Sequence, residues 1–278
     1  MEIVVPCDPG QLIERAGPWL ETEPVLHNVI CTALSRATAE PHRFGGADWF
    51  AVEDAGNPVG VAILTPPFPL RLTPMSDAAL DALVDLLAER RPDLPGATGS
   101  GDVAARFARR WTERTGAAVS PGMGLLMYRL DAVEPPPPAP GTYRRAGDDD
   151  RALLEDWFLR FVTEAGAIAG DIAAAVNQRL ALGALHLWED GAVVSLTGTQ
   201  PPVAGVVRIG PVYTPPELRG RGYASNCVAT VSRQALDRGA SACMLYTDTE
   251  NRTSNAIFQR IGYRRVAEAC EYRFSYTG

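Results

Sequence analysis

Lysine is absent from this chain of 278 residues, and all 26 of its basic residues are arginines. That excludes a Schiff-base lysine, a P-loop lysine and a kinase-type lysine within the chain. Histidine is scarce. The three copies, His27, His42 and His186, lie far apart, with no HxxxH spacing and no Cys/His cluster. The five cysteines (Cys7, Cys31, Cys227, Cys243, Cys270) are odd in number and form no CxxC pair. These shortages argue against a metal site and against a disulfide framework. They suit a reduced, cytoplasmic setting. Acidic residues outnumber basic ones, 33 to 26, for a formal charge of -7, which argues against a nucleic-acid or membrane-surface partner. No apolar run approaches the ~18–20 residues of a membrane span. No charged-then-apolar leader opens the sequence.

The hydrophobic share of 46% is ample for buried cores, and the length suits two domains. A proline run, Glu134-Pro135-Pro136-Pro137-Pro138-Ala139-Pro140, falls near the middle. Such a run favours polyproline II and neither joins a sheet nor continues a helix. It divides the chain into residues 1–133, a linker at 134–140 and residues 141–278.

The two halves carry the same signals in the same order. Trp49–Asp54 turns through Gly56-Asn57-Pro58 into Val59–Thr65, and Leu185–Asp190 turns through Gly191 into Ala192–Thr197. Each reads as a β-hairpin. Later, a helix carrying Phe107 ends at Gly116 before a strand finishing at Leu130. A helix carrying Phe258 ends at Gly262 before a strand finishing near Phe274. The pattern predicts two diverged copies of one α+β unit. In the second copy it predicts strands at 142–145, 184–189, 192–199, 203–213, 243–247 and 263–276. Helices are predicted over 150–161, 171–182, 223–238 and 253–260.

The chemistry concentrates after the 203–213 strand, in Val212-Tyr213-Thr214-Pro215-Pro216-Glu217-Leu218-Arg219-Gly220-Arg221-Gly222-Tyr223-Ala224-Ser225. Two prolines end the strand, and a turn with alternating arginine and glycine opens a helix. Free N–H groups at a helix start point outward, and the helix dipole there favours negative charge. Gly220 and Gly222 let the backbone approach a ligand, and Arg219 and Arg221 match phosphate oxygens. The stretch reads as an anion cradle.

Arg219-x-x-Gly222-x-Ala224 resembles the acyl-CoA signature, Q/R-x-x-G-x-G/A, of the GCN5-related N-acetyltransferases. Asn251-x-x-Ser254-x-x-Ile257-Phe258-x-x-x-Gly262-Tyr263 resembles that family's closing helix motif. The resemblance covers about 141–278 and, more faintly, the first half. It implies a mixed, mostly antiparallel sheet flanked by helices, in two tandem copies, and an acyltransferase using acetyl-CoA as co-substrate. Val212, Tyr213 and Thr214 would pair with the pantetheine arm, and Arg219, Gly220, Arg221, Gly222, Tyr223 and Ala224 would hold the pyrophosphate. Asn251 would reach the arm, with Ser254 and Phe258 on the same helix. The Val212 N–H would meet the oxyanion. The acceptor implied is a small primary amine. A non-catalytic acyl-CoA-binding module and a protein N-acetyltransferase are the alternatives. The chain is also a candidate homodimer.

Two positions depart from the family pattern. Phe258 stands where a tyrosine usually protonates the leaving thiolate, and Arg208 where some members carry a basic glutamate. Tyr246, Asp248 and Glu250 around the end of the 243–247 strand, and Glu164 between the first two helices of this half, offer substitutes, with Tyr246 and Glu164 taken as the catalytic candidates. Arg208 either pairs with a carboxylate or faces an anionic acceptor. His186, Cys227 and Cys243 read as packed residues. The first half has no R-x-x-G-x-A, and Gly96–Gly101 reads as a loop with Asp102 capping the next helix. One acyl-CoA site per chain is expected, with the first half a degenerate copy.

Overall fold

The computed structural model describes residues 1–166 and 170–276. In chain order the strands and α-helices are β1 (Glu2–Val4), α1 (Pro9–Leu20), α2 (Asn28–Ala39), β2 (Asp48–Asp54), β3 (Asn57–Leu64), β4 (Leu70–Leu72), α3 (Asp77–Arg90), β5 (Gly96–Ser100), α4 (Val103–Thr115) and β6 (Ala118–Leu130). They continue as β7 (Thr142–Arg145), α5 (Arg151–Glu164), α6 (Ile172–Ala181), β8 (Leu185–Asp190), β9 (Ala192–Thr199), β10 (Val206–Tyr213), α7 (Tyr223–Asp237), β11 (Ala242–Asp248), α8 (Arg252–Arg260) and β12 (Arg264–Ser275). The elements expected in the second half are present, with ends shifted by up to three residues. The chain divides into two compact units. One holds Met1–Leu126 and the chain from Ala267 onward, and the other holds Met127–Val266.

In the first unit β1 to β4 run antiparallel in sequence order, and β4 pairs parallel with β5. Helix α3 makes the crossover between that parallel pair, as the geometry of such a connection requires. On the other edge of β5 lies β12, antiparallel, from Ala269↔Ser100 to Arg273↔Gly96. The core joins Phe50, Leu80, Leu83, Leu87, Phe107 and Trp111 with Phe274 of β12. The expected loop at Gly96–Gly101 is corrected here, because Gly96–Ser100 is strand β5, buried along most of its length. Its glycines serve close packing. A Cβ on Gly96 would lie 2.2 Å from the Tyr272 carbonyl oxygen, and one on Gly99 would lie 2.5 Å from Val103 Cγ1. Asp102 does precede α4, but its side chain makes no cap hydrogen bond and pairs with Arg106 at 3.0 Å. Along α3 and α4, Asp77, Asp81 and Asp85 face Arg106, Arg110 and Arg114 in a ladder of ion pairs at 2.6–3.0 Å.

The second unit repeats this plan. Strands β7, β8, β9 and β10 are antiparallel neighbours, and β10 pairs parallel with β11 through the α7 crossover. The end of β6, from Met127, flanks β11 on its other side. A core of Leu154, Trp157, Phe158, Val176, Leu187 and Leu196 lies under α5 and α6. The proline segment belongs to this unit and is fastened to α7 and β8. Asn226 Nδ2 donates to the Pro137 carbonyl at 3.0 Å, and Trp188 Nε1 donates to that of Pro140 at 2.7 Å. Each unit is thus mixed α+β with a mostly antiparallel sheet flanked by helices, as the sequence implied.

Candidate acyl-donor site

Strands β10 and β11 pair only from Val206↔Ala242 to Arg208↔Met244. Beyond that point β10 continues through Tyr213 and β11 through Asp248. On its other side β10 shifts register against β9 between Ile209 and Val212, then resumes with Val212↔Thr197 and Tyr213↔Leu196. A register shift of this kind re-aims a strand and ends pairing on one edge. The two parallel strands thus begin as a pair and stop pairing while both run on, the arrangement that would leave a slot between their carboxyl ends. Val212 and Tyr246 both lie beyond the last pair.

Beyond β10 the chain turns through residues 214–222 into the start of α7. Gly220 and Gly222 have φ of +78° and +83°, in the left-handed region where a Cβ costs roughly 1–2 kcal/mol. Gly222 is the N-cap, and among the described residues no side chain caps this end. The N–H groups of the first turn are therefore available to an anion. Tyr223 is buried and donates to Asp190 Oδ2 at 2.7 Å, which pins the helix start to the β8–β9 hairpin. Ala224 follows in the first turn, half-buried. Arg221 is exposed, and its Nη2 donates to the Glu217 carbonyl at 3.4 Å.

Arg219 is held differently. Its Nε donates to the Thr214 carbonyl at 2.8 Å and its Nη2 to Glu164 Oε2 at 2.6 Å. The guanidinium lies over the Tyr213 ring at 5.9 Å, and the Tyr213 hydroxyl donates to Glu164 Oε1 at 3.1 Å. Burial and then the Glu164 hydrogen bond raise the Tyr213 pKa, so its phenol stays protonated at neutral pH. Glu164 thus accepts from two donors. The Thr214 hydroxyl shares a 2.9 Å hydrogen bond with Ser195, whose hydroxyl also lies 3.3 Å from the Tyr213 carbonyl. The structure therefore brings Tyr213, Thr214, Arg219 and Glu164 into one cluster.

The α8 candidates are placed otherwise. Asn251 caps α8 by accepting the Ser254 N–H at 3.0 Å. Phe258 is buried edge-on against Tyr263, and the Tyr263 hydroxyl shares a hydrogen bond with Ser232 of α7 at 2.8 Å. Asn255, which the sequence reading passed over, ties α8 to β11. It accepts from the Thr247 hydroxyl and donates to the Asp248 carbonyl at 3.1 Å. Tyr128, on the β6 end, donates to Asn255 Oδ1 at 3.4 Å and accepts from Gln259 Nε2 at 3.1 Å. Nothing in the sequence marks Tyr128, because it arrives from the far side of the proline run. Arg208 is half-buried on β10, and Tyr246 is half-buried on β11.

His186 is buried between Tyr143, whose hydroxyl lies 3.0 Å from its Nδ1, and Thr199, 3.4 Å from its Nε2. Burial, with Arg145 and Arg238 nearby, lowers its pKa to about 4. Burial also raises the thiol pKa values of Cys227 and Cys243. All three behave as packed, uncharged groups. Among the described residues no cluster of three or more His, Cys, Asp or Glu could hold a metal ion. No described helix is long and apolar enough to cross a membrane.

The first unit lacks this arrangement at the corresponding helix. The N-cap Ser76 hydroxyl accepts the Ala79 N–H at 3.3 Å, and Asp77 places a carboxylate in the first turn of α3. Both features oppose an anion there.

Comparison with known proteins agrees with this reading of the fold. The profile of the family described as FR47-like protein matches residues 201–273, the segment that carries the slot, the cradle and α8. No curated protein matches the chain by sequence. An acetyltransferase of the GNAT family from Colwellia psychrerythraea aligns at a TM-score of 0.63 with 14% identity, covering 99% of this chain and 100% of that one. A GCN5-related N-acetyltransferase from Sphaerobacter thermophilus aligns at 0.59 with 17% identity, covering 98% and 95%. A tandem GNAT protein from the clavulanic acid biosynthesis pathway aligns at 0.58 with 14% identity, covering both chains completely. Over its full length the chain has the fold of the GCN5-related N-acetyltransferases in tandem form, with an FR47-like match over residues 201–273.

Proposed function

We propose that the second unit transfers an acetyl or short acyl group from acyl-CoA, with acetyl-CoA as the donor, directly to the primary amine of a small molecule. One observation carries this reading: β10 and β11 stop pairing after Arg208↔Met244, and β10 runs on to a helix start with no side-chain cap among the described residues. An extended amide-bearing arm fits the slot, and a diphosphate fits the cradle. The clavulanic acid pathway assignment of one tandem relative supports a small-molecule acceptor.

The chemistry divides among the residues as follows. The backbone of Val212–Thr214 binds the arm along the strand edge. The N–H groups at Gly220–Ala224 and the Arg221 guanidinium bind the pyrophosphate. The unprotonated amine attacks the thioester carbon, and the Val212 N–H stabilises the oxyanion that forms. Collapse of the tetrahedral intermediate breaks the C–S bond. The ammonium proton leaves through water, and the thiolate takes a proton from water, because Phe258 has none to give. The rate then rests mainly on holding the two reactants together. Tyr246 and Glu164, the latter engaged with Arg219 and Tyr213, are the side-chain candidates for relaying those protons to and from water.

Phe258 also favours a second reading, an acyl-CoA-binding module without catalysis. Screening primary amines with acetyl-CoA and detecting free thiol separates the two. Turnover on any amine supports the enzyme, and donor binding with no turnover supports the module. In either case the first unit is a degenerate copy, and each chain carries one donor site.

A further inference from the structure

Arg219 opens the signature, yet its side chain turns away from the role that the signature suggests. Its Nε and Nη2 form the edge with which a guanidinium meets an oxyanion two-handed. That edge is already taken by the Thr214 carbonyl and Glu164 Oε2. Glu164 is fixed in turn by the Tyr213 hydroxyl, and the ring of that tyrosine lies under the guanidinium. Four groups from α5, the end of β10 and the cradle turn therefore close one cycle of contacts. Tyr213 and Thr214, the middle of the cycle, are also the backbone that would bind the pantetheine arm.

We propose that Glu164 is a positioning residue: through Arg219 it splints the Tyr213–Thr214 backbone at the slot, and Arg219 serves this splint rather than the phosphates. The inference rests on the acyl-CoA reading for its ligand but not for its geometry. An exposed ion pair alone contributes little. Here it is reinforced by a charge-assisted bond to backbone and by a stacked ring, so its loss should be felt at that backbone.

Two probes separate the parts of the donor. Coenzyme A carries both arm and phosphates, whereas 3′-phospho-ADP carries the phosphates alone. Titration calorimetry should show Glu164→Gln and Glu164→Ala weakening coenzyme A by about three- to tenfold while leaving 3′-phospho-ADP unchanged. Arg221→Ala should weaken both. The double variant Glu164→Ala/Arg219→Ala should be no worse than Arg219→Ala alone. Amide hydrogen exchange at Tyr213 and Thr214, measured without ligand, should accelerate severalfold in Glu164→Gln. Tighter binding of both probes in Glu164→Gln would overturn the proposal, since it would mean that Glu164 withholds Arg219 from the phosphates. Unchanged coenzyme A binding with unchanged exchange would overturn it too. If the wild-type chain binds neither probe, the acyl-CoA reading fails, and the exchange rates alone decide the splint.

Discussion

Phe274→Ala should destabilise the first unit, although Phe274 stands near the end of the sequence. Its ring is buried, lies 5.9 Å from the Trp111 ring and 6.4 Å from the Phe107 ring, and shares their cluster. Truncating a buried phenylalanine costs about 3–5 kcal/mol through lost transfer energy and the cavity left behind. A domain holds only about 5–15 kcal/mol in total. The loss is thus a large fraction of what holds this unit together. Ending the chain at Val266 should cost more still. It removes the ladder from Ala269↔Ser100 to Arg273↔Gly96 and the Tyr276 hydroxyl that bonds Trp111 Nε1 at 3.1 Å. Urea titration read by hydrogen exchange gives the assay, following peptides from 50–64 for the first unit and 185–196 for the second. A loss of about 3 kcal/mol or more in the 50–64 peptides is expected. A loss below ~1 kcal/mol there, or one confined to 185–196, would refute the assignment of β12 to the first core.

Other perturbations follow from the same contacts. His186 is neutral when folded, with a pKa of about 4 against an ordinary 6.5, so between those pH values only the unfolded chain takes up the proton. Stability should therefore be full above pH 6.5 and fall as pH drops toward 4, by up to about 3 kcal/mol. His186→Gln should flatten that fall in urea titrations at pH 7 and 4.5. Asp81→Asn should cost roughly 0.2–1 kcal/mol at low ionic strength, and the difference in melting temperature should shrink in 0.5 M salt. Gly222→Ala should cost about 1–2 kcal/mol, because φ there is +83° even though the space around a new Cβ is open enough, at 3.4 Å from Ala139 Cβ.

The fold and the glycine turn that opens α7 are legible because their signals are local. Hydrophobic alternation marked the hairpins, and Gly222 and Gly239 marked the ends of α7. The glycine strand β5 was not legible, since Gly96 and Gly99 answer to close backbone neighbours contributed by residues 272 and 72. The proline run was read as a boundary because proline cannot join a ladder. Its carbonyls remain good acceptors, and those of Pro137 and Pro140 are held by Asn226 of α7 and Trp188 of β8. The last strand was read with its sequence neighbours, but pairing is set by an available edge, and β12 takes that of β5. At the site, Arg219 was read from its motif position. Its engagement with Glu164, 55 residues earlier, is a tertiary contact that no spacing encodes.

The central claim is that Gly220–Ala224 holds the diphosphate of an acyl-CoA at the mouth of the β10–β11 slot. Calorimetric titration of acetyl-CoA into the wild-type chain and into Gly222→Glu tests it most directly, with circular dichroism confirming that both are folded. The account predicts saturable one-site binding to the wild type and at least a tenfold loss in the variant, whose carboxylate would sit among the phosphates. No binding to the folded wild type, or equal affinity in both chains, would contradict it.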